Sequence, residues 1–184
     1  MMLQRPSGGS TSAGMRGFTM VELIVVIVVI GILSAVAAGR LFDSSASDSR
    51  AFADGSAALL RYAQKTAIAQ NRRVYVLLSA QRVALCFDSG CAPTFRVRAP
   101  GGSGSASAAT QAACGDDTWA CEAAPKGITL SPATQFYFDP VGKPFAQADA
   151  WPTPVSTFAG LNVTISGGAA PRTFRVEAET GYVH

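Results

Sequence analysis

The sequence predicts an α+β protein in which a long N-terminal helix packs on antiparallel β-sheet structure. Residues 18–39 form one continuous apolar run, and apolar residues then recur at helical spacing to about residue 72. Beyond that point the pattern changes to short segments rich in valine, leucine and phenylalanine, which is typical of strands. One long helix followed by several strands indicates a fold in which the helix covers a sheet.

The apolar run at residues 18–39 is long enough to cross a membrane. As a helix of about 22 residues it would extend roughly 33 Å, close to the thickness of the hydrocarbon core of a bilayer. The run is also longer than the apolar core of a secretory signal peptide. We therefore predict a transmembrane helix segment at residues 18–39, followed by one globular domain at residues 40–184.

Glu22 is the one acidic residue inside this apolar run. An unpaired charge at depth in a bilayer costs on the order of 3 kcal/mol even on lenient insertion scales. The position of Glu22 therefore implies a positively charged partner.

Residues 15–26, MRGFTMVELIVV, resemble the prepilin peptidase site of type IV pilins and type II secretion pseudopilins. The resemblance implies that residues 1–17 are a leader, that a prepilin peptidase cuts between Gly17 and Phe18, and that Phe18 is then N-methylated. It also implies that Glu22 serves assembly, by pairing with the Phe18 amine of a neighbouring subunit in the filament core. In an apolar bundle such a pair selects the axial register, because subunits out of register leave both charges unpaired.

The charges around the apolar run predict its orientation. Arg5 and Arg16 precede it and no acidic residue does, so the leader is expected on the cytoplasmic side of the bacterial inner membrane and the globular domain in the periplasm. The formal net charge is +3, and removal of the two leader arginines brings the chain close to neutral. Composition therefore makes a nucleic-acid partner unlikely.

A second helical segment follows the apolar run. Its predicted core-facing stripe repeats at three- and four-residue intervals, and it consists of Phe52, Ser56, Leu59, Leu60, Ala63 and Ala67. This stripe is expected to lie against the sheet.

The remaining chain contains six candidate strands. Residues 74–78 and 83–87 read as a hairpin around a short polar turn, and the other candidates are residues 95–98, 135–138, 161–165 and 174–177, the last followed by a turn at Gly181. Residues 99–113 contain no large apolar side chain, so we expect a mobile loop there.

The layout of the globular part resembles GspH/FimT-like minor pseudopilins and minor pilins. The resemblance lies in the arginine- and alanine-rich end of the helix, a Phe-x-x-x-Gly turn at Phe138 to Gly142, and a final strand pair that closes on Thr180 and Gly181. It implies a type IV pilin-like fold and a structural subunit of a type II secretion pseudopilus or a type IV pilus, at or near the tip, where it primes assembly. The expected partners are other pilins or pseudopilins, the prepilin peptidase and the inner-membrane assembly platform.

Two other roles compete with this one. The first is a FimT-like minor pilin that binds DNA in natural transformation, for which the C-terminal arginines Arg172 and Arg175 are the candidate contacts. The second is a major pilin, which is disfavoured because the N-terminal helix lacks the kinking proline that many major pilins carry.

Four cysteines lie in the predicted periplasmic domain, where an oxidising environment favours disulfides. Three pairings are possible, and we expect Cys86 with Cys91 and Cys114 with Cys121, each closing a small loop. A zinc site is the alternative, although the spacings differ from the usual Cys-x2-Cys pairs.

The sequence favours a non-enzymatic protein without a cofactor or metal. The single histidine is His184, so the chain offers no internal base for a catalytic triad. Two carboxylate pairs, Asp116 with Asp117 and Asp139 with Asp149, could hold calcium, but neither has the spacing of an EF-hand loop.

Overall fold

The computed structural model describes residues 18–41, 44–168 and 170–184, and within them the chain is an α+β protein with antiparallel sheets. It forms two compact units, Met1–Phe42 and Asp43–His184. The elements in chain order are α1 Met20–Leu41, α2 Ser44–Ala69, β1 Val74–Ser79, β2 Arg82–Cys86, α3 Ala108–Cys114, β3 Cys121–Ala123, β4 Thr129–Ser131, β5 Thr134–Phe138, β6 Pro144–Ala146, β7 Leu161–Ser166 and β8 Arg172–Val176.

The first unit contains α1, whose 22 residues include the predicted apolar run. In this unit the burial of side chains is described for residues 18–34, and all of these residues are exposed within this chain. In the part of the chain that the structure describes, no helix has the length and apolar character needed to span a membrane. The transmembrane segment at residues 18–39 stays a prediction.

In the second unit α2 buries the predicted stripe, except for Leu59, which is only half-buried. Phe52, Leu60, Ala63 and Ala67 are almost fully inaccessible, and so is the hydroxyl-bearing Ser56. These positions recur every three or four residues, so they share one face of the helix and pack into a single core with both sheets. The helix ends at Ala69, within three residues of its predicted end.

A five-stranded antiparallel sheet has the strand order β3-β2-β1-β5-β6. The predicted hairpin is confirmed, with β1 and β2 paired from Tyr75 opposite Cys86 to Ser79 opposite Arg82. The Ser79 hydroxyl accepts a hydrogen bond from the Arg82 backbone N–H at 3.1 Å and closes the turn. Alternation along β1 sends Val74 and Val76 into the core beneath α2, while Tyr75 belongs to a second cluster with Tyr137 and Phe145.

A separate three-stranded antiparallel sheet has the order β4-β7-β8. Its core-facing side chains are Leu130 on β4 and Val163, Ile165, Phe174 and Val176 on the two longer strands. Two such residues on each longer strand explain why the sequence predicts both of them. Beyond β8 the chain turns at Gly181 and lays residues 182–184 along the open side of β8.

The predicted strand at residues 95–98 is wrong in part. Phe95 closes a short 3-10 helix, Pro93–Phe95, and only isolated bridges at Arg96 and Arg98 continue from it. The segment runs between the end of β2 and the chain around Trp119. Its backbone hydrogen bonds are shared between these two neighbours, so it forms no regular strand pairing with either. No strand was predicted for the three short elements β3, β4 and β6.

The prediction of a mobile loop at residues 99–113 is wrong for the second half of the segment, because Ala108–Cys114 forms α3. The Ser107 hydroxyl accepts a hydrogen bond from the Thr110 backbone N–H and caps the helix, and Gly115 ends it in a left-handed conformation. Thr110 is buried, and its hydroxyl accepts the Ala123 backbone N–H at 3.0 Å. Capping and one buried polar contact therefore order a segment that has no large apolar side chain.

Candidate functional sites

The N-terminal motif begins the first helix. Thr19 precedes α1, and its hydroxyl oxygen accepts a hydrogen bond from the Glu22 backbone N–H at 3.2 Å. Glu22 lies in the first turn, where a carboxylate also interacts favourably with the helix dipole. Phe18 is exposed, and Gly17 lies outside the described residues. The motif therefore presents an exposed apolar residue just before α1 and an exposed carboxylate in its first turn, four residues apart in sequence.

Both pairs of cysteines form disulfides in the structure. Cys86 pairs with Cys91, with their Cα atoms 5.3 Å apart, and Cys114 pairs with Cys121, with a Cα separation of 6.1 Å. The first bond ties the end of β2 to the loop that follows, and the second ties the end of α3 to the start of β3. Within the described ranges no group of histidine, cysteine and carboxylate residues could hold a metal ion.

The indole of Trp119 packs beside these disulfides and contacts two arginines. The guanidinium carbons of Arg96 and Arg82 lie 4.1 Å and 5.7 Å from its ring centroid. The indole N–H donates to the Leu85 carbonyl at 2.8 Å, and Arg82 donates to the carbonyl of Ala113 at 2.6 Å. These cation–π and hydrogen-bond contacts make the two arginines part of the packing of the domain.

Three of the four carboxylates considered for calcium, Asp116, Asp139 and Asp149, accept hydrogen bonds from nearby residues. Asp139 accepts hydrogen bonds from the backbone N–H groups of Val141 and Lys143, at 3.0 and 2.8 Å. Asp149 accepts from the Thr157 hydroxyl at 2.6 Å, and this bond lowers the pKa of the Asp149 carboxyl. Hydrogen bonds from the backbone and then the hydroxyl of Thr118 likewise lower the pKa of Asp116.

The two turns that carry the family resemblance meet on α2. The Gln64 side-chain amide donates to the carbonyl of Gly142 at 2.8 Å and to the carbonyl of Thr180 at 2.6 Å. Gly181 has a φ of 65°, and a Cβ there would lie 2.7 Å from the Gln64 amide nitrogen. The sequence marks the glycines as turn residues but gives no signal for Gln64, because a glutamine on a helix is ordinarily solvated.

The C-terminal arginines lie on β8 but do not form one site. Successive side chains of a strand point to opposite faces, so Arg172 and Arg175, three residues apart, lie on opposite faces of this sheet. Arg175 donates to Glu177 at 2.8 Å and to Asn162 at 3.2 Å. His184 also contacts the Glu177 carboxylate at 2.9 Å, and the hydrogen bonds from His184 and Arg175 lower the pKa of Glu177.

Comparison with known families covers both units. Residues 13–38 match the family described as the prokaryotic N-terminal methylation motif, and residues 53–181 match the family described as type II transport protein GspH. A methylation motif that opens an apolar helix, followed by a GspH domain, defines a pilin-like protein of the minor pilin and pseudopilin class. The chain belongs to the GspH family.

Individual relatives share only part of this chain or little of its sequence. A type IV narrow pilus major component, PilA5 of Thermus thermophilus, is 41% identical over 59 residues, which are 32% of this chain and 51% of that protein. The type IV minor pilin FimU of Pseudomonas aeruginosa in one crystal form covers 77% of this chain and 90% of its own, at 12% identity and a TM-score of 0.46. A second crystal form gives a TM-score of 0.43 at the same identity.

Proposed function

We propose that this protein is a minor pseudopilin or minor pilin, a structural subunit at or near the tip of a type II secretion pseudopilus or type IV pilus, where it primes assembly. The observation that supports this proposal is the methylation motif at residues 13–38 followed by the GspH match at residues 53–181. Its partners are other pilin-like subunits, the prepilin peptidase and the inner-membrane assembly platform.

Maturation in this proposal starts with removal of residues 1–17. The peptidase cuts between Gly17 and Phe18, and Phe18 becomes an N-methylated terminal residue. The leader stays cytoplasmic, residues 18–39 cross the inner membrane, and the globular domain lies in the periplasm. The exposure of every described side chain from residue 18 to residue 34 fits a helix that is buried in lipid or in a helix bundle of subunits.

The cleavage step is tested by intact-mass measurement of the chain expressed with a prepilin peptidase. The wild-type mass should correspond to a chain that begins at a methylated Phe18. Gly17→Leu should leave the full-length chain, because a branched side chain cannot occupy a site shaped for glycine. A wild-type chain that still begins at Met1 under these conditions contradicts the proposed cleavage.

Glu22 is proposed to pair with the Phe18 amine of a neighbouring subunit. Glu22→Ala should therefore be processed and inserted into the membrane normally, since it removes an unpaired charge from an apolar helix. Its incorporation into filaments should fall at least about tenfold, because a lost charge pair in low dielectric is worth more than 1.4 kcal/mol. Quantitative mass spectrometry of purified filaments measures the loss, and unchanged incorporation means that register is set elsewhere.

The partial match to PilA5, whose name describes a major component, makes a major-subunit role the nearest competitor. The two roles differ in copy number. A minor subunit should be present at a small fraction of the most abundant filament protein, whereas a major subunit is that protein. The same filament mass spectrometry distinguishes them.

A further inference from the structure

The two disulfides differ in how far a reagent in solution can reach them. Cys86, Cys114 and Cys121 are buried, with 0%, 4% and 2% of their surface exposed. Cys91 is partly exposed, although it packs against the same cluster of buried residues as the other three. Because a thiol must reach a sulfur atom to attack a disulfide, Cys91 gives the best access to either bond.

The residues on both sides of Cys91 leave room for a large partner. Ser89, Gly90, Ala92 and Pro93 are all exposed, and none of them carries a long or charged side chain. A folded protein can therefore bring a reactive thiol to Cys91 without displacing a bulky side chain.

The loop that the Cys86–Cys91 bond closes contains two unfavourable features. Cys91 has a φ of 55°, a left-handed conformation that residues with a Cβ atom rarely adopt. One carboxylate oxygen of Asp88 is buried, and in the described structure it has no hydrogen-bond partner. An outward movement of residues 88–92 relieves both features. The closed conformation of this loop therefore depends on the disulfide.

The chain next to this loop is anchored independently of the disulfide. The Phe87 backbone N–H donates to the Phe95 carbonyl at 2.7 Å. Within the loop, the Gln135 side-chain amide donates to the Ser89 carbonyl at 3.0 Å, but this contact is exposed, so water can replace it. Breaking the disulfide should therefore release residues 88–92 and leave β2 in place.

The second disulfide joins two elements of regular structure. Cys114 is the last residue of α3, and Cys121 begins β3 opposite Ala84 of β2. Both cysteines pack with Trp119, whose indole N–H donates to the Leu85 carbonyl at 2.8 Å. A thiol can reach this bond only after α3 or β3 has come away from the domain.

We propose that the Cys86–Cys91 bond is a site of thiol–disulfide exchange with a protein dithiol, and that the Cys114–Cys121 bond is not. Reduction of the first bond opens residues 88–92, and reoxidation closes them. The partner is a dithiol oxidoreductase, because such a protein presents a reactive thiol to an exposed segment of small residues. This inference goes beyond the proposed function, and the periplasmic location proposed above is where the two proteins would meet.

The exchange proceeds in two steps through a mixed disulfide. A thiolate of the partner attacks the Cys91 sulfur, and the bond to Cys86 breaks with its electron pair on the Cys86 sulfur, which takes up a proton. The second thiol of the partner then loses its proton, attacks the mixed disulfide and releases Cys91 as a thiolate. The partner dithiol is thereby oxidised to a disulfide, and the two cysteines are reduced to thiols.

The first test is stepwise reduction of the mature full-length chain in detergent, by dithiothreitol and in parallel by reduced thioredoxin. Acid-quenched samples are alkylated and mapped by mass spectrometry. With both reductants, Cys86 and Cys91 should become alkylated at least about tenfold faster than Cys114 and Cys121, because access limits attack. Equal rates, or earlier reduction of the second bond, overturn the inference. Reduction by dithiothreitol but not by thioredoxin overturns the proposed partner class.

The second test compares two variants that lose the same bond, Cys86→Ser and Cys91→Ser. The remaining thiol is Cys91 in the first and Cys86 in the second. The Cys91 thiol should react with a disulfide reagent such as dithiobis(nitrobenzoic acid) at least about tenfold faster, because it is the exposed member of the pair. Similar rates contradict the proposed point of attack.

The third measurement is amide hydrogen exchange of the selectively reduced chain. Exchange should rise in residues 88–92 and stay slow in β1 and β5, because these strands are held by pairing that does not involve the disulfide. A rise throughout the domain, or none in the loop, overturns the local opening. These experiments need no filament, so their failure is separate from failure of the proposed function, which a wild-type chain absent from filaments would show.

Discussion

At the scale of single residues, this domain depends on glycines that let backbone approach side chains closely. Gly181 combines a left-handed φ of 65° with contacts to Gln64 and to the Phe138 ring that leave no room for a Cβ. Gly127 has a similar φ of 83° but has open space where a Cβ would lie. Comparing substitutions at the two positions therefore separates the cost of backbone strain from the cost of a steric clash.

This comparison gives a stability prediction for Gly181→Ala and Gly127→Ala. The Gly127 variant should lose roughly 1–2 kcal/mol of unfolding free energy, the cost of a left-handed alanine. The Gly181 variant should lose about 1–3 kcal/mol more, because its methyl group meets the Gln64 amide and the Phe138 ring. Chemical denaturation of residues 44–184 measures both losses, and equal losses would show that the turn at Gly181 relaxes freely.

At the scale of elements, the strongly patterned segments were predictable from the sequence and the short ones were not. The stripe of α2 and the strands β1, β2, β5, β7 and β8 carry enough apolar side chains to show their period. In contrast, β3, β4 and β6 contain three residues each, which is too short for a period to show. Their pairing depends on neighbouring strands that are distant in sequence.

The candidate sites divide in the same way. The methylation motif and the glycine turns were recognisable because their residue types fix a chemistry or a backbone conformation. The roles of Gln64, Arg82 and Arg96 were not, because a polar helix residue and two arginines carry no local signal for the carbonyls and the indole that they contact. Helix α3 was missed because a serine cap and a buried threonine hold it, and composition alone does not show either.

The disulfide between Cys114 and Cys121 joins the end of α3 to the start of β3, so we predict that α3 loses stability without it. Replacing both cysteines by alanine should cost about 2 kcal/mol, near the low end for native disulfides because the loop is short. Amide hydrogen exchange in residues 108–114 should rise, while exchange in β1 stays slow.

Peptide mapping of the exported protein without reduction is the matching control. It should show Cys86 joined to Cys91 and Cys114 joined to Cys121. A bond from Cys86 to either member of the second pair contradicts this connectivity, and four free thiols would favour the zinc alternative.

At the scale of the whole molecule, the arginines are distributed in a way that disfavours nucleic-acid binding. Arg82 and Arg96 hold Trp119, Arg72 covers Phe87, and Arg175 is paired with Glu177. Because these guanidinium groups are engaged within the chain, a phosphate would have to displace existing contacts. The mature chain is expected to be nearly neutral, so no long-range attraction to DNA would offset the loss of these contacts.

We therefore predict that residues 44–184 do not bind duplex DNA at physiological salt, and that the FimT-like alternative does not apply. A DNA site formed by Arg172 and Arg175 would lose affinity steeply with salt, with a log–log slope of about −0.9 for each phosphate neutralised. Fluorescence anisotropy at low and physiological salt measures this slope, with Arg172→Ala plus Arg175→Ala as the test variant and Arg50→Ala, an exposed arginine on α2, as the control. Weak binding at low salt that is equal in all three proteins is non-specific attraction and agrees with the prediction. Micromolar binding that persists at physiological salt and disappears only in the double variant would contradict it, and it would place DNA uptake ahead of the structural role.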